Sequence, residues 1–280
     1  MKQHVIIMVM LSLSLVLIGS LPAQAAVLAD GQVSSSNLQA DSNYWSSYLS
    51  DTESVISAPL RWDEKQWGQA GLFLIIDTGL YQSDAKIQQY VQDHRSNASD
   101  RLADLVRPFG DGRYTLPLLA GFYYYGVSQN NHQAINAALL GTESFFINGV
   151  LTEAIKLSGH RHRPSSGDPS DTWDGPRLSN ENVSFPSGHT SSAFAVATVV
   201  ATVYKDDKFV PVLAYSIATL TGWSRINDNQ HWTSDVFAGA VLGYCTAKSV
   251  IGLHQPAAAT SELTPIVGND RLALVHTIKF

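Results

Sequence analysis

The sequence predicts a mainly α-helical bundle, and three observations predict it. Gln133 to Leu157 carries Ile135, Leu139, Phe146, Val150 and Ile155 at roughly helical spacing. Thr190 to Tyr204, Val210 to Trp223 and Ser234 to Ile251 read as three more apolar helices. Strand periodicity is confined to the end, where Leu272, Leu274, His276, Ile278 and Phe280 alternate with Ala273, Val275, Thr277 and Lys279. With Gly268-Asn269-Asp270 ahead of it, that segment is expected to form a C-terminal β-hairpin with Thr264 to Val267.

The elements follow in order. Lys2 and His4 precede an apolar run, Val5 to Ile18, then Gly19, Pro22 and Ala23-Gln24-Ala25. This pattern reads as a secretory signal cleaved after Ala25, because the run falls short of the roughly 20 apolar residues that span a membrane. The chain is therefore expected to be exported, to a periplasmic or extracellular space. Residues 26–58, rich in Ser, Asn, Gln and Asp, read as a flexible lead-in that Tyr44, Trp45 and Tyr48 dock. Residues 59–280 read as one helical domain, with its motif core at 114–252. Gly71 to Leu80 and the charged stretch Asp84 to Arg107 read as early helices, the second stopped by Pro108. Tyr114 to Gly126 is apolar and aromatic. Residues 158–186 form a long loop, and a loop of that length in a compact chain is usually functional or disordered. The helices at 190–204 and 210–223 are too short for a full span, so both are expected as buried core helices of a soluble bundle.

Composition narrows the function. A chain of 280 residues that is 45% hydrophobic and 15% charged is not disordered. The net charge of −6 argues against broad nucleic-acid binding. The one cysteine, Cys245, excludes an internal disulfide framework and a Cys-based zinc cluster. Mean hydropathy of −0.02 is low for a polytopic membrane protein.

Three clusters carry chemistry. The first runs from Lys156 to Arg163-Pro164, the second is Pro186-Ser187-Gly188-His189, and the third is Ser224-Arg225 with His231 and Asp235. Singly, each has an ordinary reading: a basic helix end, a turn with a serine cap, a surface ion-pair set. Together they suit a phosphate monoester, which carries nearly two negative charges near neutral pH. Lys156, Arg163 and Arg225 supply three cations, and arginine forks match phosphate oxygens. Ser187, Gly188 and His189 open the helix at Thr190, where N–H groups point at an anion. His231 and Asp235, four apart, would share a helix face, with Asp235 fixing one ring nitrogen and leaving the other free to attack. His189 is available for proton transfer to the leaving oxygen.

These clusters, in this order, resemble the signature of the type 2 phosphatidic acid phosphatase superfamily. That superfamily includes bacterial acid phosphatases, lipid phosphatases and vanadium haloperoxidases. Eleven positions carry the resemblance: Lys156, Arg163, Pro164, Pro186, Ser187, Gly188, His189, Ser224, Arg225, His231 and Asp235. The resemblance implies a helical bundle of the acid phosphatase/haloperoxidase type. It implies His231 as a nucleophile forming a phosphohistidine, Asp235 as its orienting partner, and His189 as general acid and then base. It implies Lys156, Arg163, Ser187, Gly188 and Arg225 as the phosphate cradle. No metal or other cofactor is expected, and vanadate is expected as an inhibitor. The expected substrate is a soluble phosphomonoester or a lipid phosphate met by peripheral membrane contact, with no nucleic-acid partner. Two alternatives are a vanadium-dependent haloperoxidase on the same anion site and a non-catalytic anion-binding envelope protein. His160 and His162 read as solvated loop residues, as do Asp168, Asp171 and Asp174. Zinc on His160, His162, His189 and His231 is disfavoured by the surrounding cations.

Overall fold

The structure, a computed structural model, describes residues 38–255 and the backbone of 260–268 and 271–279. The signal segment, the first part of the lead-in and Phe280 lie outside the described residues.

Helix α1, Ser42–Ile56, starts at Asp41, whose carboxylate accepts from the Tyr44 backbone N–H at 2.8 Å. Tyr44 and Val55 are buried, so this part of the expected flexible lead-in is a docked helix. Tyr44, Asp51 and Val55 share the face that docks, whereas Trp45, expected to help dock the segment, stays exposed, as do Leu49 and Ile56. Helix α2, Glu64–Asp93, opens on a capping box between Asp63 and Gln66. It runs unbroken through Gly71 to Leu80 and on to Asp93, so the stretch from Asp84 to Arg107 read as one helix is divided between its end and a second helix. Helix α3 is Asn97–Val106, and a 3-10 turn, Arg107–Gly110, leads into α4, Gly112–Ser128.

The centre is α5, His132–Gly159, packed with α6, Gly188–Val203, and α8, Thr233–Leu253. Ile147, Leu151 and Ile155 of α5 meet Val199 of α6 and Leu242, Cys245 and Val250 of α8 in one core. Small residues set the distance between α6 and α8. A Cβ on Gly239 would stand 2.6 Å from the Ser187 carbonyl oxygen, and one on Gly243 would collide with Ser191. The two helix starts are thereby pressed together, which places Ser187 beside Asp235: the Ser187 N–H donates to the Asp235 carbonyl at 2.9 Å.

Helix α7, Phe209–Asn227, departs from the expected core role. Its buried residues lie towards its C-terminal end, from Ala218 to Asn227, while Phe209, Val212 and Leu213 are exposed. It flanks the bundle, with its apolar outer side uncovered. Helices α5 and α8 are long and apolar enough to cross a membrane, yet two-thirds of the one and half of the other are buried by neighbours. After α8, strands β1, Thr260–Gly268, and β2, Arg271–Lys279, form an antiparallel pair of backbones.

Candidate active site

The site assembles from the end of α5, the 160–187 loop, the start of α6, the end of α7 and the start of α8. His231 is buried, and its Nδ1 lies 2.7 Å from the Ser184 backbone carbonyl. A carbonyl only accepts, so Nδ1 carries the proton and Nε2 keeps its lone pair. Burial pushes the imidazole down to about 3, against the pull of Asp235, so the ring is neutral at ordinary pH.

The Asp235 carboxylate is not the direct partner of that ring. It stands 3.7 Å from His231 Nδ1, beyond hydrogen-bond reach. Its Oδ2 accepts from Ser184 Oγ at 2.6 Å and from the Trp232 N–H at 2.8 Å, and its Oδ1 accepts from Arg161 at 2.6 Å. The expected shared helix face fails because α8 begins at Thr233, so His231 precedes the helix. Asp235 occupies the third helical position and reaches back to the cap N–H, as a capping-box side chain does. It therefore orients the ring at one remove, by fixing Ser184. Burial alone would raise this carboxyl, but Arg161 and its hydrogen bonds hold it at about 2.

Sequence reasoning missed Arg161. It is wholly buried between the carboxylates of Asp235 and Asp84, the second at 2.8 Å. Its guanidinium also donates to Ser234 Oγ and the Ser170 carbonyl, and its carbon sits 4.6 Å from the Tyr81 ring centre. Asp84 in turn accepts from the Ser234 N–H at 3.0 Å. Through these bonds α2, the loop and α8 lock to one another. Only its place between two histidines in the basic cluster marked Arg161; nothing marked Asp84, 77 residues away.

The expected phosphate-binding residues gather around His231. Lys156 is buried, donates to the Val183 carbonyl at 3.0 Å, and lies under Gly188, whose Cβ position is 3.8 Å from the ammonium. Arg163 donates to the Gln230 side chain at 2.6 Å, and Arg225 to Asp228 at 2.9 Å. The Arg225 Nε is buried without a partner. Gln230 and His231 both donate their N–H groups to the Arg225 carbonyl, so loop and helix end move as one piece. Lys156 and Arg163 each act on His231, and Arg225 and Lys156 on His189. Burial first, then Arg225, pushes His189 down to about 4.

Ser187 is completely buried. Its Oγ accepts from Thr190 Oγ1 at 2.8 Å, which leaves its own hydroxyl proton available for an anion. Its backbone N–H is committed to Asp235, so the anion-facing N–H groups are those of Gly188 and His189 in the first turn of α6, which have no intrahelical acceptor.

His160 and His162 are not solvated. His160 is buried with Nε2 at 2.8 Å from the Ser179 carbonyl, and His162 lies between Asp168 at 2.7 Å and Asp174 at 3.3 Å. Burial lowers His162, but the two carboxylates outweigh it and raise the imidazole. Both histidines fasten the loop, as does Trp232, whose ring N–H donates to the His162 carbonyl at 2.8 Å. The zinc set considered from sequence is therefore dispersed among other partners.

A family model, PAP2 superfamily, matches residues 137–258. The chain is similar to a lipid A 1-phosphatase of Porphyromonas gingivalis, 36% identical over 134 residues, covering 46% of this chain and 26% of that protein. It is also similar to a probable lipid phosphate phosphatase 4 of Arabidopsis thaliana, 32% identical over 201 residues, covering 55% and 62%. A solved structure, a transmembrane PAP2 type phosphatidylglycerolphosphate phosphatase from Bacillus subtilis, superposes at a TM-score of 0.47 with 25% identity, covering 65% of this chain and 92% of that one. The chain spans about a quarter to under two-thirds of the length of these two curated relatives. The matched segment, which holds Lys156, Arg163, Ser187, Gly188, His189, Arg225, His231 and Asp235, is a PAP2 superfamily segment.

Proposed function

We propose that this chain is an exported phosphatase that hydrolyses lipid phosphate monoesters through a phosphohistidine at His231, with no metal at the reacting phosphorus. The observation that carries this reading is the imidazole whose Nδ1–H is held by the Ser184 carbonyl, which leaves Nε2 bare while the charges of Lys156 and Arg163 act on the ring and Arg225 acts on Lys156. Nε2 attacks phosphorus, the ester P–O bond breaks, and its electron pair leaves on the alcohol oxygen, which takes a proton from His189. His189, now neutral, takes a proton from water. The hydroxide attacks phosphorus, the P–N bond breaks, and its electron pair returns to Nε2. Three cations and the first-turn N–H groups of α6 hold the equatorial oxygens throughout, which is the stabilisation a loose phosphoryl transition state needs.

An apolar groove supports a lipid as the alcohol. It has a volume of about 420 Å³ and runs between α4, α6 and α7, lined by Phe109, Leu118, Ala193, Val200 and Leu213 among others. Ala193 is one helical turn beyond His189, and Phe109 adjoins Gly110, which presses on the His189 backbone. The groove thus starts where the leaving alcohol would emerge. Leu213 is 62% exposed, so Leu213→Asp places a charge in the groove without disturbing the core. That variant should lose roughly tenfold or more in kcat/KM on a long-chain phosphatidate in mixed micelles, the scale of one badly matched apolar contact. It should leave turnover of a short-chain, water-soluble phosphate ester unchanged. Equal losses on both substrates, or on neither, would count against the lipid reading.

The pH profile follows from the two histidines. Catalysis needs His231 neutral and His189 protonated. In the free protein His189 sits at about 4, because burial and Arg225 disfavour its charge, so kcat/KM should fall as pH rises above that value. A bound phosphate dianion favours the protonated ring, so the alkaline limb of kcat should lie at higher pH than that of kcat/KM. Coincident limbs in stopped assays from pH 4 to 9 would contradict this assignment.

A further inference from the structure

We infer that Asp51, Glu143 and His254 form a binding site for one divalent transition-metal ion, remote from the phosphate centre. The three residues come from α1, α5 and the end of α8, and each offers a ligand atom within 4.8 Å of the others. His254 Nε2 lies 2.8 Å from Glu143 Oε2 and 3.6 Å from Asp51 Oδ2. Four ligands placed about 2.0–2.1 Å from a tetrahedral zinc stand about 3.3 Å apart, so these separations bracket that spacing.

A second observation points to a ligand. Glu143 is completely buried and Asp51 is 9% exposed, yet Glu143 Oε1 and Asp51 Oδ2 have no hydrogen-bond partner. Asp51 Oδ2 is the atom that faces His254. Two buried carboxylates beside one imidazole outnumber it in charge when both are ionised, and a dication would stabilise that ionised pair. An imidazole with two carboxylates suits zinc or manganese better than magnesium or calcium, which prefer oxygen donors alone. The Tyr44 hydroxyl donates to Glu143 Oε2 at 2.7 Å and holds that carboxylate in place, as an outer-shell partner does.

The site is separate from the phosphate centre. Along α5, Glu143 precedes Lys156 by about 20 Å at roughly 1.5 Å per residue. An ion there would fasten the N-terminal helix α1 to the end of the bundle. Its effect is on stability and not on the bonds being broken.

The test uses the full chain, stripped with a chelator and titrated with Zn2+ alone by calorimetry, with Tm followed in parallel. One equivalent should bind and Tm should rise. Glu143→Gln and Asp51→Asn should each weaken binding by more than the roughly 10–100-fold that loss of an outer-shell partner costs, and should abolish the rise in Tm. His231→Asn should still bind its equivalent, which separates this site from the catalytic histidines. Absence of binding, or full affinity in folded Asp51→Asn, would overturn the site and leave a proton shared between the two carboxyls as the neutralising charge.

Discussion

Arg161→Met should destabilise the protein by about 3–5 kcal/mol, the range seen when one partner of a buried ion pair is removed. The native side chain is wholly buried and bridges Asp84 and Asp235, and methionine fills much of its volume without its charge. The penalty is therefore that of two carboxylates left unpaired, and not of a cavity. Arg161→Lys keeps a charge but has no fork to span both acids, so it should fall between the two. Adding Asp84→Asn to Arg161→Met should recover part of the loss, because one of the stranded charges is gone. The pH dependence has a definite sign. Arg161 holds the Asp235 carboxyl at about 2, below its unfolded range, so its share of stability is present above about pH 4 and fades as pH falls towards 2. In Arg161→Met the fading should begin at higher pH. Urea unfolding at several pH values measures all of this, and a Met variant within about 1 kcal/mol of the parent would show that the bridge contributes little.

Arg161 also shows where the sequence stops being legible. Helices α5, α6 and α8 could be read because apolar residues recur at helical spacing, and the eight expected site residues could be read because charge and glycine cluster around them. A partner supplied by a distant element leaves no local pattern. Asp84 lies in a helix with other acids, of which Asp77 is buried as well, and only its contact with Arg161 distinguishes it. Ser184 is another such case. It acts through a backbone carbonyl, which every residue possesses, so nothing in its identity announces that it fixes the His231 tautomer. The spacing of His231 and Asp235 suggested direct contact, and the contact runs through Ser184 because the helix starts two residues later than that reading required. The apolar stretch that became α7 reads like a core helix for a related reason: periodicity reports that a face is apolar, not what covers it.

His231→Ala should remove turnover by a factor on the order of 10⁴ or more, as loss of a catalytic nucleophile does in other enzymes. Its fold should survive, because the ring makes one close bond, to a backbone carbonyl that Asp235 and Ser184 Oγ still position. Loss of activity alone would not separate a nucleophile from a phosphate ligand, so the companion variant His189→Asn decides it. With an aryl phosphate the leaving group needs no acid, and attack by Nε2 proceeds. Hydrolysis of the phosphohistidine needs the His189 base and should stall. His189→Asn should therefore release one equivalent of phenol in a fast burst, followed by slow turnover, while holding acid-labile phosphate on the chain. Introducing His231→Ala into that background should abolish both burst and label. A burst with no trapped phosphate, or trapped phosphate that persists without His231, would move the nucleophile elsewhere. Retention of phosphate affinity in His189→Asn completes the separation, since Lys156, Arg163 and Arg225 stay in place to hold the anion.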